Sequence, residues 1–260
     1  MANNDLTART ALAISLKTLK LSGMLDTLDA RLTQAAAGDL GFMDFLHVLC
    51  LDEINRRDSA RTIRLTRKAR FAYNATLEGF DLGADNGIPA ARIRDLAALE
   101  WLHAGQHVLI YGPVGAGKTH LATALADQAI RKGATVRFTT TSKMFADLAG
   151  GHADGSWTIR LRAYTRPAVL VLDDFAMREM TGPQTDDLYE VIAERCTTMP
   201  AKPVVVTSNR APADWYGLFP NAVVAESTLD RLVNNAHHLH VDAPSYRARQ
   251  RPNQPGGSKP

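Results

Sequence analysis

"HVLIYGPVGAGKTHLATALADQAI", residues 107 to 130, decides how the rest of the chain is read. Its first five residues are apolar or β-branched enough to form a buried strand. Gly112, Gly117, Lys118 and Thr119 fit G-x-x-x-x-G-K-[ST], and the twelve residues from Thr119 on have the look of a helix. Strand, glycine-rich turn and helix N-terminus in that order make a phosphate cradle. The glycines let backbone N–H groups turn inward, and the helix dipole adds positive potential. Gly112, Pro113, Val114, Gly115, Ala116, Gly117, Lys118, Thr119 and His120 are therefore the candidate nucleotide-binding residues. Lys118 is placed to reach the β and γ phosphates, and the Thr119 hydroxyl to ligate Mg²⁺. ATP and Mg²⁺ are the expected cofactors.

Working outward, "TVRFTT", "AVLVLDD" and "PVVVTSN" are further short strand-like runs, each followed by a loop and a helical stretch. Alternation of strand and helix predicts a parallel sheet covered on both faces. Ligands of such sheets sit at the carboxyl ends of the strands. Asp173, ending one strand, is the candidate Mg²⁺ partner. Asp174 next to it is a candidate general base, or else a cap for the following segment. Asn209 ends another strand, where an amide can orient the attacking water; the alternative is a turn asparagine. Arg231, in the helical "ESTLDRLV", reads either as a solvated surface group or as an arginine donated to a neighbour's triphosphate.

The first 75 residues have a different texture. Leu12, Leu16 and Leu19, then Leu21, Leu25, Leu28 and Leu32, then Phe42, Phe45, Leu46 and Leu49 recur at helical spacing, with Ser22 placed to cap the second helix. These helices are too few to build a large core. The chain carries a net charge of +3, and the excess base lies in this front part, with 11 Lys/Arg against 8 Asp/Glu in residues 1 to 75. Along "INRRDSARTIRLTRKARF", drawn as a helix, Arg57, Arg61, Arg64 and Lys68 fall within about 60° of one another. Arg56, Arg67 and Arg70 widen that stripe, while Leu51, Ile54, Leu65 and Ala69 lie on another side and are expected to dock inward. A basic stripe is commonly a solvated helix face; it is also what tracks a phosphate backbone. No base-reading motif accompanies it, so any duplex binding is expected to tolerate sequence.

Composition narrows the classes further. With 45% apolar and 22% charged residues the chain is an ordinary globular protein of one large and one smaller domain. No apolar run approaches the ~18 residues of a membrane span, and "MANNDLTART" lacks the layout of a signal peptide, so a cytoplasmic location and no membrane partner are expected. Cys50 and Cys196 are isolated and read as buried reduced thiols; "HHLH", residues 237 to 240, reads as a near-surface strand rather than a metal site.

The phosphate loop, "LDDF", "TSNR" and "LDRL", in this order, resemble the AAA+ ATPases of the DnaA/DnaC branch. With "LKLSGM", "GKTHLA", "SNRAPADWYGLF" and "SYR", the chain more narrowly resembles the IstB-like transposition helper proteins of insertion sequences, over nearly all of residues 15 to 247. The resemblance implies an α/β fold: a P-loop AAA+ core, its parallel sheet flanked by helices, behind a small all-helical N-terminal domain. The expected division is 1 to 75 helical, 76 to 245 ATPase, 246 to 260 disordered tail. It makes Lys118 and Thr119 the Walker A pair, Asp173 and Asp174 Walker B, Asn209 sensor 1, Arg231 the finger acting on the adjoining subunit and Arg247 a second phosphate sensor. Val114, Ala116 and Ala176 depart from the commonest pattern without removing a needed group. The implied activity is Mg-dependent ATP hydrolysis, slow and stimulated by assembly and DNA. The implied partners are double-stranded DNA bound through Arg57, Arg61, Arg64 and Lys68, a cognate transposase, and further copies of the chain in a ring or helical homo-oligomer. A DnaC-type helicase loader and an ATP-sensing adaptor that scarcely hydrolyses are the alternatives.

Overall fold

The computed structural model describes residues 2–38, 40–80 and 87–243, so Arg247 and the expected tail lie outside the described residues. The chain divides into two compact units, Met1–Arg64 and Leu65–Pro260, the division falling within one helix.

The first unit holds α1 (Ala2–Thr18), α2 (Ser22–Ala36) and most of α3 (Phe42–Ala69). Its core is small: Leu16, Leu28 and Leu49 are buried, with Leu21, Met24, Leu25, Leu32 and Phe45 packed around them. Several helical-spacing residues miss that core. Leu12, Leu19, Phe42 and Leu46 are exposed, because the core that three helices enclose has no room for every apolar position. Ser22 does not cap α2; Leu21 occupies the cap position, and no side chain bonds there. The "LKLSGM" string has a packing role instead. A Cβ on Gly23 would stand 2.8 Å from the Asp52 carbonyl and the Glu53 Cα, so only glycine lets α2 approach α3 this closely. The Gly23 N–H donates to Glu53 Oε2 at 2.6 Å, and Arg31 grips Asp52 with Nε and Nη2, both at 2.9 Å.

The second unit continues with α4 (Ala90–Ala97), α5 (Glu100–His103), β1 (His107–Tyr111), α6 (Lys118–Arg131), β2 (Val136–Thr140), α7 (Thr141–Asp154) and α8 (Trp157–Thr165). After them come β3 (Val169–Phe175), α9 (Gly182–Thr197), β4 (Val204–Ser208), a 3-10 turn (Pro212–Leu218), α10 (Ala222–Val233) and β5 (Ala236–His240). All five strands are parallel, in the order β2-β3-β4-β1-β5. The "HHLH" run is thus an edge strand, β5. The β-branched strands leave no polar face, since each alternate side chain enters one of two cores. Val108, Ile110, Val169, Val171 and Val205 pack with Leu121 and Leu125 of α6, and Leu109, Leu170, Leu172, Val204 and Val206 pack with α7, α9 and α10. Arg195 of α9 is fully buried, and its guanidinium donates to the carbonyls of Tyr164, Pro167, Ala168 and Pro203 at 2.6–3.2 Å. Of the two thiols, Cys196 is half-buried, but Cys50 is exposed on α3 rather than inside. Among the described residues no helix is long and apolar enough to cross a membrane.

Candidate nucleotide site

The strand order places β4 between the strand that feeds the glycine loop and the strand that ends in two carboxylates, with Tyr111 and Phe175 both paired to Ser208. The loop leaves β1 at Gly112 (φ +145), turns at Gly115 (φ +81) and enters α6 through Gly117 (φ +91). These are left-handed conformations that favour glycine. No side chain caps α6, so the N–H groups of its first turn face the loop with the helix dipole behind them. Lys118 is buried and folds back, its Nζ donating to the carbonyls of Gly112 at 2.9 Å and Pro113 at 2.6 Å. The ammonium is thereby held against the loop backbone.

Thr119 and Asp173, far apart in sequence, are joined: Thr119 Oγ1 donates to Asp173 Oδ1 at 2.9 Å. Thr207 of β4 donates to the same oxygen and accepts the Asp174 N–H at 3.1 Å. Burial pushes the Asp173 carboxyl above its usual range, and the Asp174 charge adds to this; the two threonine hydroxyls pull the other way. A divalent cation relieves such a buried charge. Hard oxygen donors from a hydroxyl and a carboxylate suit Mg²⁺, so the residues present fit the ion.

Asp174 sits in the left-handed region (φ +54), as does Ala176 (φ +58), where the β3–β4 register shifts between Leu172 and Phe175. Its side chain is exposed and lines a cleft with Thr141, Ser142, Met177 and Gln184. Asn209 follows β4, with its amide donating to Met177 Sδ at 3.2 Å. Sequence reasoning missed the cover of the loop. His120 Nε2 meets the Thr76 carbonyl at 3.2 Å, and its ring packs against Phe80 and Tyr73, centroids 5.9 and 6.3 Å away. A Cβ on Gly117 would touch Phe80 at 3.4 Å. The signal was the aromatic run "FAYNATLEGF", which has no strand or helix period.

Arg231 is not near this loop. Its Nη1 donates to Ser227 O and Oγ, both at 2.6 Å, and its guanidinium lies 5.5 Å from the Tyr189 ring centre. It shares a cavity with Gly105 and His107, at the start of β1, whereas the glycine loop follows the end of β1. The five-residue strand between them spans about 16 Å at ~3.3 Å per residue.

Arg57, Arg61, Arg64 and Lys68 are all exposed on α3. Arg57 and Arg56 both pair with Glu53, at 2.6 and 2.8 Å, and together with the Gly23 N–H hold that carboxyl down to about 2, Arg56 foremost. The expected inward side is only half right: Leu65 and Ala69 are buried, but Leu51 and Ile54 are exposed.

A five-stranded parallel sheet with a glycine loop after β1, a hydroxyl–carboxylate pair across to β3 and β4 between them defines a P-loop nucleotide-binding domain of the AAA+ kind. The chain belongs to the IstB-like ATP binding protein family, which it matches over residues 14–254. It is 59% identical, over 93% of its length and 96% of the relative's, to a Mycobacterium tuberculosis protein named as an ATP-binding protein in an insertion sequence. The insertion sequence IS21 ATP-binding protein of Pseudomonas aeruginosa is 29% identical, over 92% of this chain and 89% of that one. Among solved structures, DnaI shares the fold with a TM-score of 0.57 at 19% identity, covering 68% of this chain and 94% of that one. The DnaC helicase loader does so with a TM-score of 0.52 at 20% identity, covering 69% and 99%.

Proposed function

We propose that this insertion-sequence ATP-binding protein is a Mg-dependent ATPase that assembles on duplex DNA without regard to sequence and there recruits or stimulates a transposase. Arg231 carries the reading. It stands about a strand's length from its own phosphate loop, bonded to Ser227 and set over the Tyr189 ring, which supports a role at another copy's triphosphate rather than its own. Binding of ATP then joins subunits and completes each site in one step. Lys118 and the α6 N-terminus hold the β and γ phosphates, and Thr119 and Asp173 hold Mg²⁺, which neutralises phosphate charge. Asp174 takes the proton of the attacking water. Assembly lines up the exposed α3 cations, Arg57, Arg61, Arg64 and Lys68, along the DNA backbone. The cytoplasm is the compartment that supplies ATP, reducing conditions and DNA together.

Two observations favour slow turnover as a second feature. Asp174 is a short carboxylate in a left-handed backbone position, and the Asn209 amide is turned to Met177 rather than to either carboxylate. Taken further, that is an ATP-sensing adaptor, which assembles with ATP and scarcely hydrolyses it. Electron microscopy of the chain with a non-hydrolysable ATP analogue, with and without duplex, tests the assembly. Nucleotide-dependent rings or filaments that lengthen on DNA are expected; a monomer under saturating analogue, Mg²⁺ and duplex refutes it.

A further inference from the structure

The chain after α3 is fixed in place before it reaches the nucleotide loop. Leu65 and Ala69 are buried, Arg70 turns the backbone at φ +61, and Phe71 packs edge-on to Phe138 of β2 with centroids 6.0 Å apart. Beside this turn opens a cavity of about 400 Å³ whose charged lining is Arg67, Lys68, Arg70 and Arg137, with Thr135 and Pro167 also lining it. No Asp or Glu is among the lining residues. Arg137 comes from the edge strand. Its guanidinium lies 5.5 Å from the Tyr164 ring centre, and its Nε is buried with no hydrogen-bond partner among the described residues. The negative end of α3 accounts for a pair of cations, Arg67 and Lys68, in its last turn. It does not account for Arg137, which belongs to a different element. Like charges set round one concavity focus a positive potential that draws an anion, and arginine forks suit the paired oxygens of a phosphate.

We propose that this cavity receives a backbone phosphate of duplex DNA, giving the ATPase unit a DNA contact of its own. The inference rests on the duplex-binding reading above. Lys68 connects the two, since it lines the cavity and also stands on the exposed cationic face of α3. Phosphate is the shared chemistry of a nucleic acid and of free polyphosphate, and the test separates them.

Fluorescence anisotropy of the full chain with a mixed-sequence duplex, repeated across a salt series, reads the contact. The double variant Arg70→Gln, Arg137→Gln should flatten the log K against log [salt] slope by about 0.9 for each phosphate lost, equally on unrelated sequences. The charge-keeping pair Arg70→Lys, Arg137→Lys should restore most of the slope. ATP turnover without DNA should not change, since neither residue touches the phosphate loop. If Arg137→Gln lowers the melting temperature, Arg67→Gln with Arg70→Gln, both at exposed positions, carries the same expectation. An unchanged slope in these variants, while Arg57→Ala, Arg61→Ala, Arg64→Ala weakens binding, overturns the cavity but leaves duplex binding standing. A wild-type chain that binds no duplex refutes the duplex reading itself. Arg137-dependent tripolyphosphate binding with unchanged duplex affinity would make it a free-polyphosphate site, and Arg137-dependent polyglutamate binding with unchanged duplex affinity would make it a protein-docking site. Either result overturns the proposal.

Discussion

Gly112→Ala should damage the chain more than any other single methyl added to its glycine turns. At Gly112 the new Cβ would overlap the Val241 carbonyl oxygen and stand 3.0 Å from its carbon. Both obstacles are backbone, on the segment that leaves β5 and is tied back by the Val241 N–H to the Tyr111 carbonyl at 2.8 Å. No side-chain rotation relieves them. Overpacking costs about 1–3 kcal/mol, and forcing a non-glycine residue to φ +145 a further ~1–3 kcal/mol. The sum, about 2–6 kcal/mol, is a large part of a domain's stability. At about 2–4 °C per kcal/mol for a domain of this size, the melting temperature should fall by about 4–24 °C. Two controls separate the causes. Gly155, the αL residue after α7, has φ +73 but nothing within 4 Å of a Cβ, so Gly155→Ala should cost only the conformational ~1–2 kcal/mol. Gly182 has open space and an ordinary φ in the first turn of α9, so Gly182→Ala should gain ~0.4–1 kcal/mol. Circular dichroism melts give the order, and a fluorescent ATP analogue reports the loop. A Gly112→Ala protein that melts with the wild type and binds the analogue normally refutes the reasoning.

Lys118→Ala should abolish analogue binding while leaving the melt without nucleotide within a few degrees of wild type; retained binding would move the site. Arg231→Ala should keep ATP binding and lose turnover, and mixing it with Asp174→Asn should restore part of the activity, because one sound interface then forms; no rescue counts against action between subunits. Tyr189→Ala, removing the ring under Arg231, should lower kcat more than KM, whereas Tyr189→Phe should behave as wild type. His107 is buried, accepts the Val204 N–H at 2.9 Å on Nδ1, and is pushed down to about 4 by burial foremost and by the Arg195 charge. Its neutral form is the one folded, so its contribution is present above pH 6.5 and lost as pH falls toward 4. The loss is worth about 3 kcal/mol, read as the pH dependence of urea midpoints. His107→Gln, whose amide oxygen can still accept from Val204, should flatten that dependence; an equal slope in both proteins refutes the assignment.

The strands that carry the site were legible because buried parallel strands are written as short β-branched or apolar runs. "HVLIY", "VRFTT", "VLVLDDF" and "VVVTS" each became one. The helical front was legible as helices but not as a core. Periodicity marks which residues share a face, not which face finds a partner, so Phe42, Leu46 and Leu12 are exposed despite their spacing. Ser22 failed as a cap because α2 starts one residue earlier than a serine cap needs, with Gly23 pressed on α3. The aromatic cover of the loop, Tyr73 and Phe80 on His120, carried no period at all.

The chain's sequence alone determined that a triphosphate cradle follows a buried strand and that carboxylates end another, since short-range geometry of glycine, lysine and hydroxyl is fixed by residue type. Tertiary structure decided the rest. Thr207, unremarkable in sequence, became the hydroxyl that joins Asp173 to the Asp174 backbone, because β4 lies between the two motif strands. Arg231 landed at the opposite end of the sheet from the loop it resembles a partner for, and Arg137 came beside Arg70 only through the packing of Phe71 on β2. Such distances depend on how strands order and helices cross, and strand order is set by the packing of whole faces, not by any run of neighbouring residues.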